Sequence, residues 1–107
     1  MTAEPDDAAP GVSPRPGFSV TDDIETSRFL LHRDGELVGF ADYHLHEGVV
    51  VLPHVETLHP HRGQGYGATL VDGVLEIVRS RGGRVAPVCP FAADHIRQNP
   101  QHHDLLA

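Results

Sequence analysis

The run Arg62-Gly63-Gln64-Gly65-Tyr66-Gly67-Ala68 lies between a strand pattern and a helix pattern. The first turn of a helix exposes unpaired N–H groups and a partial positive charge, which suits a phosphate. Glycines let the main chain approach the anion, and Arg62 adds a bidentate donor. The alternative is a glycine-rich turn that only reverses the chain. A Walker A loop is excluded, because it ends in Gly-Lys-Ser/Thr and the chain has no lysine. A dinucleotide fingerprint drawn through Gly63, Gly65 and Ala68 fails on context. Antiparallel strands precede it, and Val88 stands near the position where an acidic ribose ligand belongs.

Three other sets of residues could do chemistry. His54 and Glu56 alternate along a strand with Leu58, so they share a face and could together take up a proton. The alternative for them is a solvated sheet face. Cys89, the single cysteine, is either a small buried hydrophobe or a thiol activated by the helix that starts near Phe91. The pairs His44-x-His46 and His59-x-His61 could each point two imidazoles one way, but zinc needs a third or fourth ligand. No metal site is therefore expected, and His102 and His103 read as solvated surface. Tyr43 and Asp42 are weaker catalytic candidates, and Tyr66 reads as packing beside the loop.

The elements that position these residues follow from hydrophobic period and turn chemistry. Arg28 to Arg33 and Glu36 to Leu45 flank Asp34-Gly35, a two-residue hairpin signal because both turn positions need positive φ. His46-Glu47-Gly48 leads into a third strand, Val49 to Leu58, where Pro53 cannot donate to a ladder and marks an edge, bulge or splay. Leu70, Val71, Val74, Leu75 and Val78 then recur at helical spacing, and Gly82-Gly83 ends that helix. Arg84 to Cys89 reads as a short strand and Phe91 to Gln98 as a second helix stopped at Pro100. The order β-β-β-α-β-α, with one right-handed crossover onto the sheet, defines an α/β (α+β) domain.

Residues 1–20 read as a disordered, acidic, Pro-rich tail: Pro5, Pro10, Pro14 and Pro16 break any period, and few apolar side chains offset the entropy of ordering. The folded domain is then expected to span 21–107. The whole chain has 107 residues, 15 acidic against 8 basic, and a net charge of -7 with the 9 histidines neutral. That balance argues against nucleic acid as a partner, since phosphate backbones attract clustered Lys and Arg. No apolar run reaches the ~20 residues that span a bilayer, so no membrane partner is expected. One cysteine excludes an internal disulfide and fits a cytoplasmic location, and the acidic start has no signal core.

The spacing Arg62-x-x-Gly65-x-Gly67 resembles the pyrophosphate signature of the GNAT superfamily of acyl-CoA-dependent N-acyltransferases. The resemblance extends from His54 through Leu106, through His54-Val55-Glu56, the glycine loop, Pro87-Val88-Cys89-Pro90-Phe91 and the segment Asn99 to Leu105. These together are similar to a small, truncated family of that superfamily. The resemblance implies a minimal GNAT-like fold with a V-shaped split between the Val49–Leu58 and Arg84–Cys89 strands. It implies acetyl-CoA as cosubstrate, held by main-chain groups of Val55, Glu56, Thr57 and Leu58. The loop Arg62, Gly63, Gln64, Gly65, Tyr66, Gly67 and Ala68 would bind the pyrophosphate, and Asn99 would add a contact. Acetyl would pass to a small-molecule or protein amine, with Cys89, Glu56 and His54 as the catalytic candidates. Cys89 would accept acetyl or protonate the departing CoA thiolate, and His54 with Glu56 would deprotonate the ammonium. A non-catalytic CoA-binding module is the alternative, since little chain remains to wall an acceptor pocket. The protein is expected to act as a monomer or weak homodimer.

Overall fold

The computed structural model describes residues 11–107. Six strands form one sheet in sequence order: β1 (Gly11–Val12), β2 (Phe18–Asp23), β3 (Arg28–Arg33), β4 (Glu36–His46), β5 (Val49–Thr57) and β6 (Arg84–Pro87). The first five pair antiparallel and β6 joins β5 in parallel. Helix α1 (Tyr66–Ser80) makes the crossover between β5 and β6, and α2 (Pro90–Arg97) follows β6. Two 3-10 turns, His59–His61 and Pro100–Leu105, complete the order. The fold is mixed α+β, as the hydrophobic periods require. Among the described residues, no helix is long and apolar enough to cross a membrane.

The hairpin at Asp34-Gly35 has the backbone expected of it, and the turn read at His46-Glu47-Gly48 closes in the same way around Glu47-Gly48. Asp34-Gly35 and Glu47-Gly48 both place two consecutive residues at positive φ, the backbone that reverses a twisted antiparallel pair. The core lies between one sheet face and the helices. Phe29, Leu31, Val20 and Leu52 of the sheet are fully buried, as are Leu70, Val71 and Val74 of α1 and Ala92 of α2.

The sheet extends beyond the three strands expected ahead of α1, and the expected tail 1–20 needs correction. Residues 1–10 lie outside the described residues, but Gly11–Val12 and Phe18–Asp23 pair into the sheet. Val20 is completely buried and occupies the space above Gly73, where any β-carbon on α1 would collide with it. Three apolar side chains look too few to order a segment counted alone. Docked on a preformed helix and a neighbouring strand, Phe18 and Val20 bury fully, and burial of that kind offsets the entropy. The fold therefore begins before residue 21.

Two irregularities shape the edge that β5 turns toward β6. Between Asp42/His54 and His44/Val51 the β4–β5 register jumps, so that Leu52 and Pro53 together oppose Tyr43. This is a β-bulge at the proline, as expected of a residue without an N–H to give. One extra residue flips the alternation: Val50 and Leu52 face the core before the bulge, and Val55 packs against the core after it. Beyond Leu52 the partner strand also departs. The last β5–β6 pair is Leu52–Pro87, and the N–H groups of Val88 and Cys89 both donate to the Leu52 carbonyl, at 3.0 and 2.8 Å. That carbonyl is the vertex from which the two parallel strands splay.

Candidate functional site at the strand split

The splay leaves the second half of β5 with one open edge. Leu58 donates its N–H back to the Val38 carbonyl of β4 at 2.9 Å. Antiparallel ladders alternate, so Glu56 also directs its main chain to β4 while Val55 and Thr57 direct theirs to the open edge. Gly39 holds β4 close on the paired side, where an added β-carbon would lie 2.8 Å from the Glu56 carbonyl oxygen.

That open edge forms one wall of a cavity of about 390 Å³ lined by Val55, Thr57, Gly63, Gly65, Tyr66, Gly67, Ala68 and Phe91. The glycine loop supplies the opposite wall. Gly65 caps α1 at φ 77°, a left-handed backbone that other residues rarely adopt, and no acidic side chain occupies the first turn of the helix. The N–H groups of that first turn face the cavity mouth with the positive end of the helix dipole. Gly67 is needed for a different reason: a β-carbon there would come within 3.0 Å of the Phe91 ring. Phe91, half exposed at the start of α2, is thereby seated directly against α1 as a cavity wall.

Arg62 is exposed and leans on the strand, its Nε donating to the Thr57 carbonyl at 3.2 Å. This orients the guanidinium along the cavity rim and leaves its terminal nitrogens without a protein partner among the described residues. The Tyr66 hydroxyl donates to Gln64 Oε1 at 3.0 Å, and the Tyr66 ring packs edge-on against Phe18 at 5.2 Å. Tyr66 is buried, so its role in packing joins its position on the cavity floor.

His54 and Glu56 share a face, as their spacing requires, with His54 Nε2 and Glu56 Oε1 2.9 Å apart. They border a second depression, of about 340 Å³, whose lining also includes Val55, Thr57, Arg62 and Gly63. Val55, Thr57 and Gly63 line both depressions, so the imidazole–carboxylate pair sits across the β5 edge from the glycine-loop cavity. Phe40 and Asp42 lie opposite the pair on β4, with the Phe40 and His54 rings 6.1 Å apart. Arg28 covers the Phe40 ring at 4.0 Å and binds Asp42 at 2.7 Å. Sequence reasoning did not reach Phe40 or the wall made by Phe91, because each acquires its place only from a cross-strand or interhelical neighbour.

Other candidates fall elsewhere. Cys89 lines neither depression; it is 6% exposed within the apolar core, below the vertex of the split. Asn99 also lines neither depression, and its amide donates to the His95 carbonyl at 2.6 Å at the end of α2. The main-chain N–H of Leu58 is spent on Val38, so that residue has no donor for a ligand. Tyr43 points to the core side and its hydroxyl donates to buried Asp22 at 2.6 Å. Burial, together with this carboxylate, pushes the Tyr43 hydroxyl up to about 12. Arg81 approaches the other Asp22 oxygen at 2.9 Å, an ion pair that ties the end of α1 to β2. His61 pairs with Glu36 at 3.1 Å rather than with His59. His102 is not solvated surface: its side chain is 15% exposed and lies 3.3 Å from Asp72.

The sheet thus ends in a parallel pair, β5 and edge strand β6, that splays beside a glycine-capped helix. Residues 28–105 match the family model of the GCN5-related N-acetyltransferases, and the chain belongs to that family. No curated protein matches the sequence.

Proposed function

We propose that this protein is an acetyl-CoA-dependent N-acetyltransferase whose cosubstrate lies along the open edge of β5. The observation that carries this reading is the continuity of the open Val55–Thr57 edge with the glycine-loop cavity. The pyrophosphate fits the first-turn amides of α1 and the free end of Arg62, where helix dipole and guanidinium act on the same charge. The pantetheine amides add to β5 as a strand would, through the Val55 carbonyl and the Thr57 N–H. The thioester then lies toward the vertex at Leu52, near the Val55 N–H that stabilises the developing oxyanion.

In the transfer, an amine nitrogen attacks the thioester carbonyl, the C–N bond forms, and the C–S bond breaks to release CoA. The proton lost from the amine passes to the His54–Glu56 pair, directly or through one water. The acceptor is a small-molecule or protein amine reaching the sheet face that carries Phe40, His54 and Glu56. For Cys89, burial favours packing over direct chemistry.

Calorimetry with acetyl-CoA, CoA and ATP, followed by amine-dependent release of free CoA thiol, tests this reading. Arg62→Ala is expected to weaken acetyl-CoA about tenfold, the order of one charge-assisted hydrogen bond. Glu56→Gln should retain binding and lose most of the transfer rate. Cys89→Ala should retain both, and loss of transfer alone in that variant would restore the thiol to the mechanism. Saturable binding with no transfer to any amine would favour the CoA-binding module, a reading that the exposure of His54 and Glu56 leaves room for.

A further inference from the structure

Away from the split, α1 carries Asp72 and Arg79 seven residues apart on one edge, and both grip the C-terminal segment. Arg79 holds Asp104 through two hydrogen bonds of 2.7 and 2.9 Å and holds the Gln101 carbonyl at 3.1 Å. Around Asp72 the partners are two imidazoles. His95 Nε2 of α2 lies 2.7 Å from Asp72 Oδ1, and His102 Nε2 of the final 3-10 turn lies 3.3 Å from the same oxygen. The donor atoms of the three residues all fall within 4.8 Å of one another.

We infer that Asp72, His95 and His102 form a binding site for one divalent transition-metal ion of the zinc type. Two imidazoles and a carboxylate are a ligand set that such an ion takes, with a fourth position left for water. Three separate elements supply the three ligands, so the site exists only in the folded chain. The imidazoles are held in place rather than free to sweep: their side chains are 16% and 15% exposed. The His95 ring also stacks nearly parallel on Phe91, at 6.5 Å and 10°. On the far side of that ring, the Asn99 amide lies 3.5 Å from His95 Nδ1. The same amide nitrogen donates to the His95 carbonyl at 2.6 Å, which fixes the chain after α2 beside the ring. Bound metal would pin α2 and the last turn to α1 and hold Phe91 where it walls the cofactor cavity.

The alternative is a hydrogen-bonded triad in which both imidazoles donate to Asp72. Titration of the full chain, free of any added histidine tag, with Zn(II) separates the two, and Co(II) absorbance serves as the spectroscopic probe. One equivalent is expected to bind, raising the melting temperature in proportion to the logarithm of free zinc. Asp72→Asn keeps the shape and an acceptor for the imidazoles but is a far poorer metal ligand. It should therefore weaken binding at least about tenfold while far-UV dichroism stays unchanged. His102→Ala should do the same, whereas the double variant His44→Ala/His46→Ala should bind as the parent does. Absence of saturable binding up to about 100 μM zinc would overturn the site, as would full affinity in Asp72→Asn or loss of affinity in the His44/His46 variant.

Discussion

The two halves of β5 share one backbone but differ in composition, VVVL before Pro53 and HVET after it, and they do opposite work. Val49–Leu52 is paired on both edges, by β4 and by β6, and Leu52 is completely buried. Past Pro53 only β4 remains, and Val55 and Thr57 turn their main chain toward a cavity. The first half holds the sheet together, and the second keeps an edge that pairs with no strand, its Thr57 carbonyl taken only by Arg62. A single bulge and a single departing strand make the difference. An open edge is normally a liability in a sheet; here the glycine loop and Phe91 enclose it as one wall of a cavity of about 390 Å³.

The comparison breaks most plainly by truncation. Leu52→Ala should cost about 2–5 kcal/mol in urea denaturation, as for other fully buried leucines. Val55→Ala, half-buried beside the cavity, should cost about 1 kcal/mol or less while weakening acetyl-CoA binding. Equal costs at the two positions would mean that the second half is also structural. A smaller effect is expected at Gly67→Ala. The new methyl must displace the Phe91 ring, from which it would be 3.0 Å away, so acetyl-CoA affinity should fall severalfold in calorimetry while stability changes by about 1 kcal/mol or less.

The subtlest test titrates the residue that faces the bulge. Tyr43 releases its proton only at about 12 in the folded chain, against an ordinary 10.0. Its folded value is raised, so its contribution is complete below the unfolded value and is lost as pH rises through the folded one. Stability should therefore decline between pH 10 and about 12, and Tyr43→Phe should remove that slope in pH-dependent denaturation. A slope that survives would mean that other groups hold β4 against the bulge.

Legibility in the sequence varied with how local each cause was. The hairpin at Asp34-Gly35 was readable because both residues favour positive φ, and the turn at His46-Glu47-Gly48 was marked by its glycine, whereas the positive φ of Glu47 comes from the hairpin it closes. Pro53 marked the bulge for the same reason, since a missing N–H interrupts a ladder in any context. The glycine loop and the His54–Glu56 face were readable from spacing alone. The first strands were not, because Phe18 and Val20 gain their burial from α1, some fifty residues away. Nor was the meeting of Asp72, His95 and His102, which lie on three elements and converge only when α2 and the last turn pack on α1.

The amino-acid sequence by itself determined the order of elements from β3 onward, the turns between them, the glycine-rich start of α1 and the resemblance to the family. Each of these is set by backbone chemistry or by a period within a few neighbouring residues. Only the tertiary structure decided which half of β5 stays open, that Cys89 is enclosed, and that Phe91 walls the cavity. Those are outcomes of which surfaces meet, and a side chain's exposure is a property of its neighbours in space rather than of its place in the chain.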